Sequence, residues 1–161
     1  GYAQISMYDN IMNLLANAAC YLQINMAQQQ VCRETIERIE HVAEAYQIAE
    51  LNPNSLLNFE YQAAVCYLAQ GEKQKAIEHI DKYVMLLSKL FSAAELNLHG
   101  DAYFNRIEAW FGNELLNGTN APCNRKVVLE DAKRTLDVPP FTVLNGIPEF
   151  EKIKNKLKEI N

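Results

Sequence analysis

The sequence predicts an all-α protein in which amphipathic helices are joined by short connections. Apolar residues recur at three- and four-residue spacing along most of the 161-residue chain, which is the spacing of one helix face. No stretch alternates between apolar and polar residues, so we predict no strands. A chain of this length can bury a substantial core, and we predict a single domain over residues 1–161.

The clearest element is a helical hairpin over residues 56–87, in which two amphipathic runs meet at Gly71. Glycine can take the left-handed conformation that ends a helix without a Cβ clash. Glu72 then places a negative charge in the first turn of the second helix, where the helix dipole favours it. The small side chains of Ala64 and Ala76 should let the two backbones approach closely.

The remaining segments extend this pattern to about seven helices that form an α–α superhelix. Asn54 or Ser55 is expected to cap the helix that follows Pro53. Pro148 is expected to begin the last helix, because its missing N–H costs nothing at that position. The predicted helices cover about residues 5–24, 31–50, 56–70, 72–91, 101–116, 125–136 and 148–160.

Composition excludes several classes of protein. The net charge of −5 argues against a nucleic-acid-binding surface on this chain. The apolar runs are interrupted well short of the roughly 20 residues that a membrane helix needs, so no membrane association is expected. The four cysteines lack zinc or redox spacing, and Cys20 and Cys66 are expected to pack as small apolar residues. These features favour a cytoplasmic protein.

No catalytic residue, metal ligand or cofactor is predicted. The glycines are scattered, and no Gly-x-Ser-x-Gly sequence is present. A di-iron helical bundle needs Glu-x-x-His pairs, but Arg38 precedes His41 by three residues and Ala76 precedes His79 by three. His79 is therefore expected on the polar face of its helix.

The chain contains an internal repeat, since Ala-Ala-Cys-Tyr-Leu at 18–22 returns as Ala-Val-Cys-Tyr-Leu at 64–68, an offset of 46 residues. A period of this size is typical of helical solenoids. The second copy resembles a tetratricopeptide repeat, whose small, aromatic, turn and small positions are matched in order by Ala64, Tyr67, Gly71 and Ala76. Glu60 departs from the family, which has tryptophan there, and the first copy carries an insertion at 26–31.

The C-terminal part resembles a narrower family, the cytoplasmic bacterial XRE-type helix-turn-helix regulators. The resemblance lies in the sequences at 98–104, 110–111, 121–125, 140–141 and 148–153. In those proteins a DNA-binding helix-turn-helix domain precedes tetratricopeptide-like helices. The resemblance implies that this chain is excised from a longer protein and contacts DNA only through a domain absent from it.

Two sets of residues are candidates for binding. The concave face of a tetratricopeptide array is formed by the first helix of each pair, and the corresponding groove positions are Met12, Leu15, Ala19, Asn58, Tyr61 and Val65. Core packing is an equally good interpretation of these side chains, and we expect Tyr21, Tyr67 and Tyr83 in the core. The predicted helix at 101–116 carries more large apolar residues than one stripe needs, so either a core or a homodimer interface includes Phe104, Trp110 and Phe111.

The sequence thus favours an effector-sensing or dimerisation domain of a bacterial transcriptional regulator. Such a domain would bind a peptide or protein partner and catalyse no reaction. A free-standing adaptor with the same scaffold is the alternative, and an α-helical enzyme whose site forms only in space is a third.

Overall fold

A computed structural model describes residues 1–92, 98–114 and 124–161, and this part of the chain is helical without strands, as predicted. Its eight α-helices exceed the predicted seven because a single turn, α3, separates from the second helix. The helices are α1 Tyr2–Ile24, α2 Gln29–Ala45, α3 Ile48–Leu51, α4 Pro53–Ala69, α5 Lys73–Ser92, α6 Ile107–Glu114, α7 Arg125–Thr135 and α8 Pro148–Glu159, with a 3-10 turn at Phe141–Leu144 before α8.

Helix α4 lies at the centre of the array. It packs against α1 on one side and against α5 on the other, and α5 in turn packs against α8. Helix α2 contacts both α1 and α4. Neighbouring helices therefore pair in the manner of an α–α repeat. Within the described residues, none of the helices combines the length and apolar character needed to span a membrane.

The turn between α4 and α5 confirms the role predicted for Gly71. This residue has a φ of +78°, in the left-handed region that glycine adopts readily. Its N–H donates to the carbonyl of Leu68 at 3.0 Å, and the N–H of Glu72 donates to the carbonyl of Tyr67 at 2.9 Å. These two bonds form a Schellman motif, which satisfies the last carbonyls of α4 and reverses the chain into α5.

The start of α4 differs in detail from the prediction. The cap is Asn52, whose side chain accepts a hydrogen bond from the N–H of Ser55 at 3.2 Å, rather than Asn54 or Ser55. Pro53 occupies the first turn, where its missing N–H leaves no bond unmade. The Asn52 amide also donates to the hydroxyl of Tyr8 at 3.0 Å, which links the start of α4 to α1.

Two apolar clusters lie on opposite sides of the central hairpin. The first joins α1, α2 and α4 to α6, and the second joins α5, α7 and α8. Phe141 and Leu144 are almost fully buried in the second cluster, so the 3-10 turn fills part of the core. Lys154 of α8 pairs with Asp137 at 2.7 Å and is largely buried.

Several predicted boundaries and burials are wrong. Helix α2 ends five residues early, because Gln47 adopts a left-handed φ of +51°. The helix predicted from residue 101 starts at Ile107, since the Asp101 side chain accepts the N–H groups of Tyr103 and Phe104 in a turn. Tyr21, expected in the core, is 48% exposed. The predicted end of the α6 segment near residues 116–118 lies outside the described residues.

Substituting Ala76 tests the close approach of α4 and α5. Ala64 and Ala76 are both buried to 1% exposure or less, so Ala76→Leu should overpack the crossing and lower the free energy of unfolding by about 1–3 kcal/mol. Gln74→Leu is the matched control, because Gln74 is exposed on the same helix and should change stability by about 0.5 kcal/mol or less. Equal urea midpoints for the two variants would place the crossing elsewhere.

Candidate functional site

A cavity of about 300 Å³ opens between the central hairpin and the C-terminal segment. Helix α4 provides one wall, α5 a second, and the end of α7 with the residues after it a third. The lining side chains are Leu57, Asn58, Tyr61, Tyr83, Thr135 and Val138. The volume lies at the lower end of the range for small-molecule sites, so the cavity can hold one large side chain or a small ligand.

The lining of this cavity is uncharged, with hydroxyl and amide groups among apolar surfaces. Tyr61 is fixed by edge-to-face packing on Phe141, with ring centroids 5.4 Å apart, and by a contact with Tyr83 at 6.3 Å. Burial raises the pKa of Tyr83, although a side-chain hydrogen bond with Thr135 opposes the shift. The Tyr83 hydroxyl therefore remains neutral at physiological pH. The lining as a whole favours an uncharged ligand that has both apolar and hydrogen-bonding parts.

The structure places the predicted groove residues of α4 and those of α1 in different surroundings. Asn58 and Tyr61 line the cavity together, and Val65 is partly buried against the second apolar cluster. Met12 is partly buried against the first cluster, Leu15 is completely buried in it, and Ala19 is also almost completely buried. The positions on α1 therefore contribute to the core and do not continue the cavity.

A shift in register explains this difference between α1 and α4. The matching letters of the sequence repeat lie 46 residues apart, but the buried positions of α1 and α4 match at an offset of 45 (60 − 15). At that offset each of the six buried residues of α1 corresponds to a buried residue of α4. The pairs are Tyr8 and Pro53, Ile11 and Leu56, Leu15 and Glu60, Ala18 and Ala63, Ala19 and Ala64, and Leu22 and Tyr67. The similar pentapeptides thus face different directions. Consequently Cys20, which was expected to be buried, is exposed, whereas Cys66 is buried.

The aromatic residues proposed for an interface have mainly core positions. Phe104 and Phe111 are each 1% exposed and pack edge-to-face against Tyr8 of α1, with ring centroids 5.8 and 5.5 Å apart. Trp110 is partly buried beside Phe111. These residues belong to the first apolar cluster, whereas α8 belongs to the second.

A second candidate site was not predicted and lies inside the hairpin. Glu60 of α4 and His79 of α5 are each 5% exposed, and His79 Nδ1 lies 2.6 Å from a carboxylate oxygen of Glu60. The other ring nitrogen, Nε2, faces Glu40 of α2 at 4.0 Å. Among the described residues these three side chains form a group able to hold a metal ion, with donor atoms within 4.8 Å of one another.

The surroundings of His79 fix its ring and supply a positive charge. The ring of Tyr67 stacks on the imidazole, with centroids 5.3 Å apart and planes inclined by 23°. The ammonium of Lys82 contacts the same Glu40 oxygen that faces Nε2. Burial alone would lower the pKa of Lys82, but the hydrogen bond to Glu40 and the charges of Glu60, Glu40 and Glu78 raise it.

Helix α2 is also held against the hairpin by polar contacts near its N-terminus. Glu72 accepts hydrogen bonds from Gln29 and Arg33 of α2, both at 2.9 Å, and pairs with Lys75 at the same distance. The hydrogen bond from Lys75, followed by those from Gln29 and Arg33, lowers the pKa of Glu72 to about 2. Glu72 therefore stays ionised across the physiological range of pH.

Sequence spacing could not reveal the Glu60–His79–Glu40 group, because its members come from three helices. Glu-x-x-His patterns report ligands on one helix, whereas Glu60 and His79 meet across a hairpin turn. One feature of the sequence pointed to it. Glu60 is a charged residue at a position where tetratricopeptide repeats, which the second copy resembles, have tryptophan. A charged residue at a core position usually has a buried partner.

The thiols of Cys32 and Cys66 also meet, at a sulfur–sulfur distance of 3.7 Å. Each thiol additionally donates to a carbonyl, Cys32 to Asn25 at 3.1 Å and Cys66 to Leu22 at 3.4 Å. Burial, together with the neighbouring Cys32, raises the pKa of Cys66 to about 12. The Cys66 thiol is therefore a protonated packing group at neutral pH and a poor nucleophile.

Searches of family models, of curated proteins and of solved structures each return no match to this chain.

Proposed function

We propose that this chain is the effector-sensing and dimerisation domain of a cytoplasmic bacterial transcriptional regulator, acting by binding and without catalysis. The observation that carries this proposal is the cavity between α4, α5 and the end of α7. It includes Asn58 and Tyr61, two of the residues expected to contact a ligand. The regulator assignment itself rests on the sequence resemblance.

The cavity favours a peptide or protein partner that inserts one side chain. Its volume of about 300 Å³ is small for a complete peptide and suits one anchoring residue, with the rest of the partner lying on the surrounding surface. The hydroxyl and amide groups of Asn58, Tyr61, Tyr83 and Thr135 favour an aromatic or aliphatic side chain with a polar end. A charged side chain would find no opposite charge among the lining residues.

An exposed apolar face of α1 supports the homodimer. Leu14, Tyr21 and Ile24 are 43%, 48% and 81% exposed, and their seven- and three-residue spacing places them on one side of the helix. Phe104 and Phe111 are buried, so the α1 face replaces them in the proposed interface. A two-fold contact between α1 helices would present one self-complementary surface, as cyclic dimers require.

A free-standing adaptor would use the same cavity and the same α1 face. The two proposals predict different sequences upstream of Gly1 in the open reading frame. A helix-turn-helix pattern there would support the regulator, and its absence would favour the adaptor.

Blocking the cavity tests the ligand proposal. Peptides selected from a phage-displayed random library on this chain should bind in the cavity, so Asn58→Trp should weaken their affinity at least about tenfold in fluorescence anisotropy, a loss of about 1.4 kcal/mol. Asn54→Trp is the matched control, because Asn54 is exposed one turn earlier on α4 and lies outside the cavity. Equal affinities of the two variants, or selection of no peptide, would contradict the proposal.

Light scattering after size exclusion tests the dimer. Over an about tenfold range of concentration, we expect a mass of twice 18.3 kDa. Tyr21→Arg should shift the protein toward the monomer, because it places a charge in the proposed apolar contact. Met85→Arg is the control, since Met85 is 62% exposed on α5. A monomer at every concentration, or a dimer unaffected by Tyr21→Arg, would refute the α1 interface.

A further inference from the structure

We infer that Glu40 and His79 form a binding site for a divalent transition-metal cation of the zinc class, and that Glu60 positions His79 for this purpose. The metal ligands would be Nε2 of His79 and a carboxylate oxygen of Glu40. This inference is independent of the cavity and of the α1 face, because none of the three residues lines either surface.

The orientation of His79 suits a metal ligand. Because Glu60 lies 2.6 Å from Nδ1, its carboxylate accepts the Nδ1–H. In the neutral imidazole the lone pair of Nε2 is then directed away from Glu60, toward Glu40. A carboxylate that accepts the N–H of a histidine is the usual support of a metal-ligating imidazole. Stacking on Tyr67 further restricts rotation of the ring.

The distance between His79 Nε2 and the Glu40 oxygen is close to that of two ligands on one zinc ion. Two donors bound to one zinc ion, each at about 2.0–2.2 Å, lie about 3.4 Å apart at the tetrahedral angle and at most about 4.2 Å apart. His79 Nε2 and the Glu40 oxygen are 4.0 Å apart. A small side-chain adjustment of Glu40 therefore completes the pair without movement of the helices. Nε2 makes no direct hydrogen bond within the described residues, although the His79 side chain is only 7% exposed.

The net charge of the group favours a cation. Glu40 and Glu60 carry two negative charges, and Lys82 brings one positive charge to Glu40. With a neutral imidazole the group retains one net negative charge in a largely buried place. The Lys82 side chain is 49% exposed, so its ammonium can move into solvent when a divalent ion takes its place at Glu40. Lys82 is thus a competitor for the site.

Because Glu40 is partly exposed, water can fill the metal's coordination positions that the protein leaves open. Its side chain is 34% exposed, so solvent reaches the outer side of the proposed ion. Two protein ligands leave further positions for water. Binding also requires a neutral imidazole, and affinity should therefore decrease at acidic pH.

Titration of the chelator-treated protein with Zn²⁺ or Co²⁺ alone tests the site. Calorimetry should give one ion per chain, and Co²⁺ should produce a visible absorption band. Glu40→Gln should weaken binding by about tenfold or more, whereas Glu37→Gln, an exposed position on the same helix, should leave it unchanged. Lys82→Met should strengthen binding by about tenfold, because it removes the competing charge.

Nitrogen NMR of the histidine rings gives a readout that a purely structural role would not change. Zn²⁺ should shift Nε2 of His79 while the proton on Nδ1 is retained. Lack of saturable binding would overturn the inference, as would equal affinities of Glu40→Gln and Glu37→Gln, which would place the ion at another donor such as the exposed Cys20. Binding that is unchanged or weaker in Lys82→Met would overturn the competition with Lys82.

Discussion

The buried contact between Glu60 and His79 is the interaction on which the centre of this structure depends. Both side chains are 5% exposed and lie 2.6 Å apart across the α4–α5 hairpin. A polar group buried without a partner costs free energy, and an unpaired charge costs more. Each residue therefore requires the other, which favours a single register of α4 against α5. The alanines at this crossing would permit close packing in several registers.

Other parts of the fold are arranged around this hairpin. Helix α2 is attached to it by polar contacts at two places, Arg33 with Glu72 and Glu40 with Lys82, so α2 completes the surroundings of His79. On the other side of α4, Tyr61 contacts Phe141 and Tyr83, and these contacts shape the cavity. One helix pair thus positions both candidate sites, a polar group on one side and an uncharged cavity on the other.

Local patterns predicted the helices and the turn but not the contacts between helices. Gly71 ends α4 as predicted, because its left-handed conformation is a property of the local chain. The cavity was half predicted, since Asn58 and Tyr61 were chosen from their helix positions, whereas Thr135 and Val138 come from a distant segment. The groove positions predicted on α1 contribute to the core, because the similar letters lie 46 residues apart whereas the burial patterns match at an offset of 45 (60 − 15). The environment of His79 is formed by three helices, so the sequence pattern of a single helix could not predict it.

A double-mutant cycle on the metal-free protein tests the central claim most directly. Urea unfolding would be measured for Glu60→Leu, His79→Leu and the double variant. Each single change should cost about 3–5 kcal/mol, because it leaves one buried polar partner alone. The double change should cost less than the sum of the single changes, with a coupling of about 1.5–3 kcal/mol. Costs that add to within about 0.5 kcal/mol would contradict the account and show that the two residues stabilise the hairpin independently.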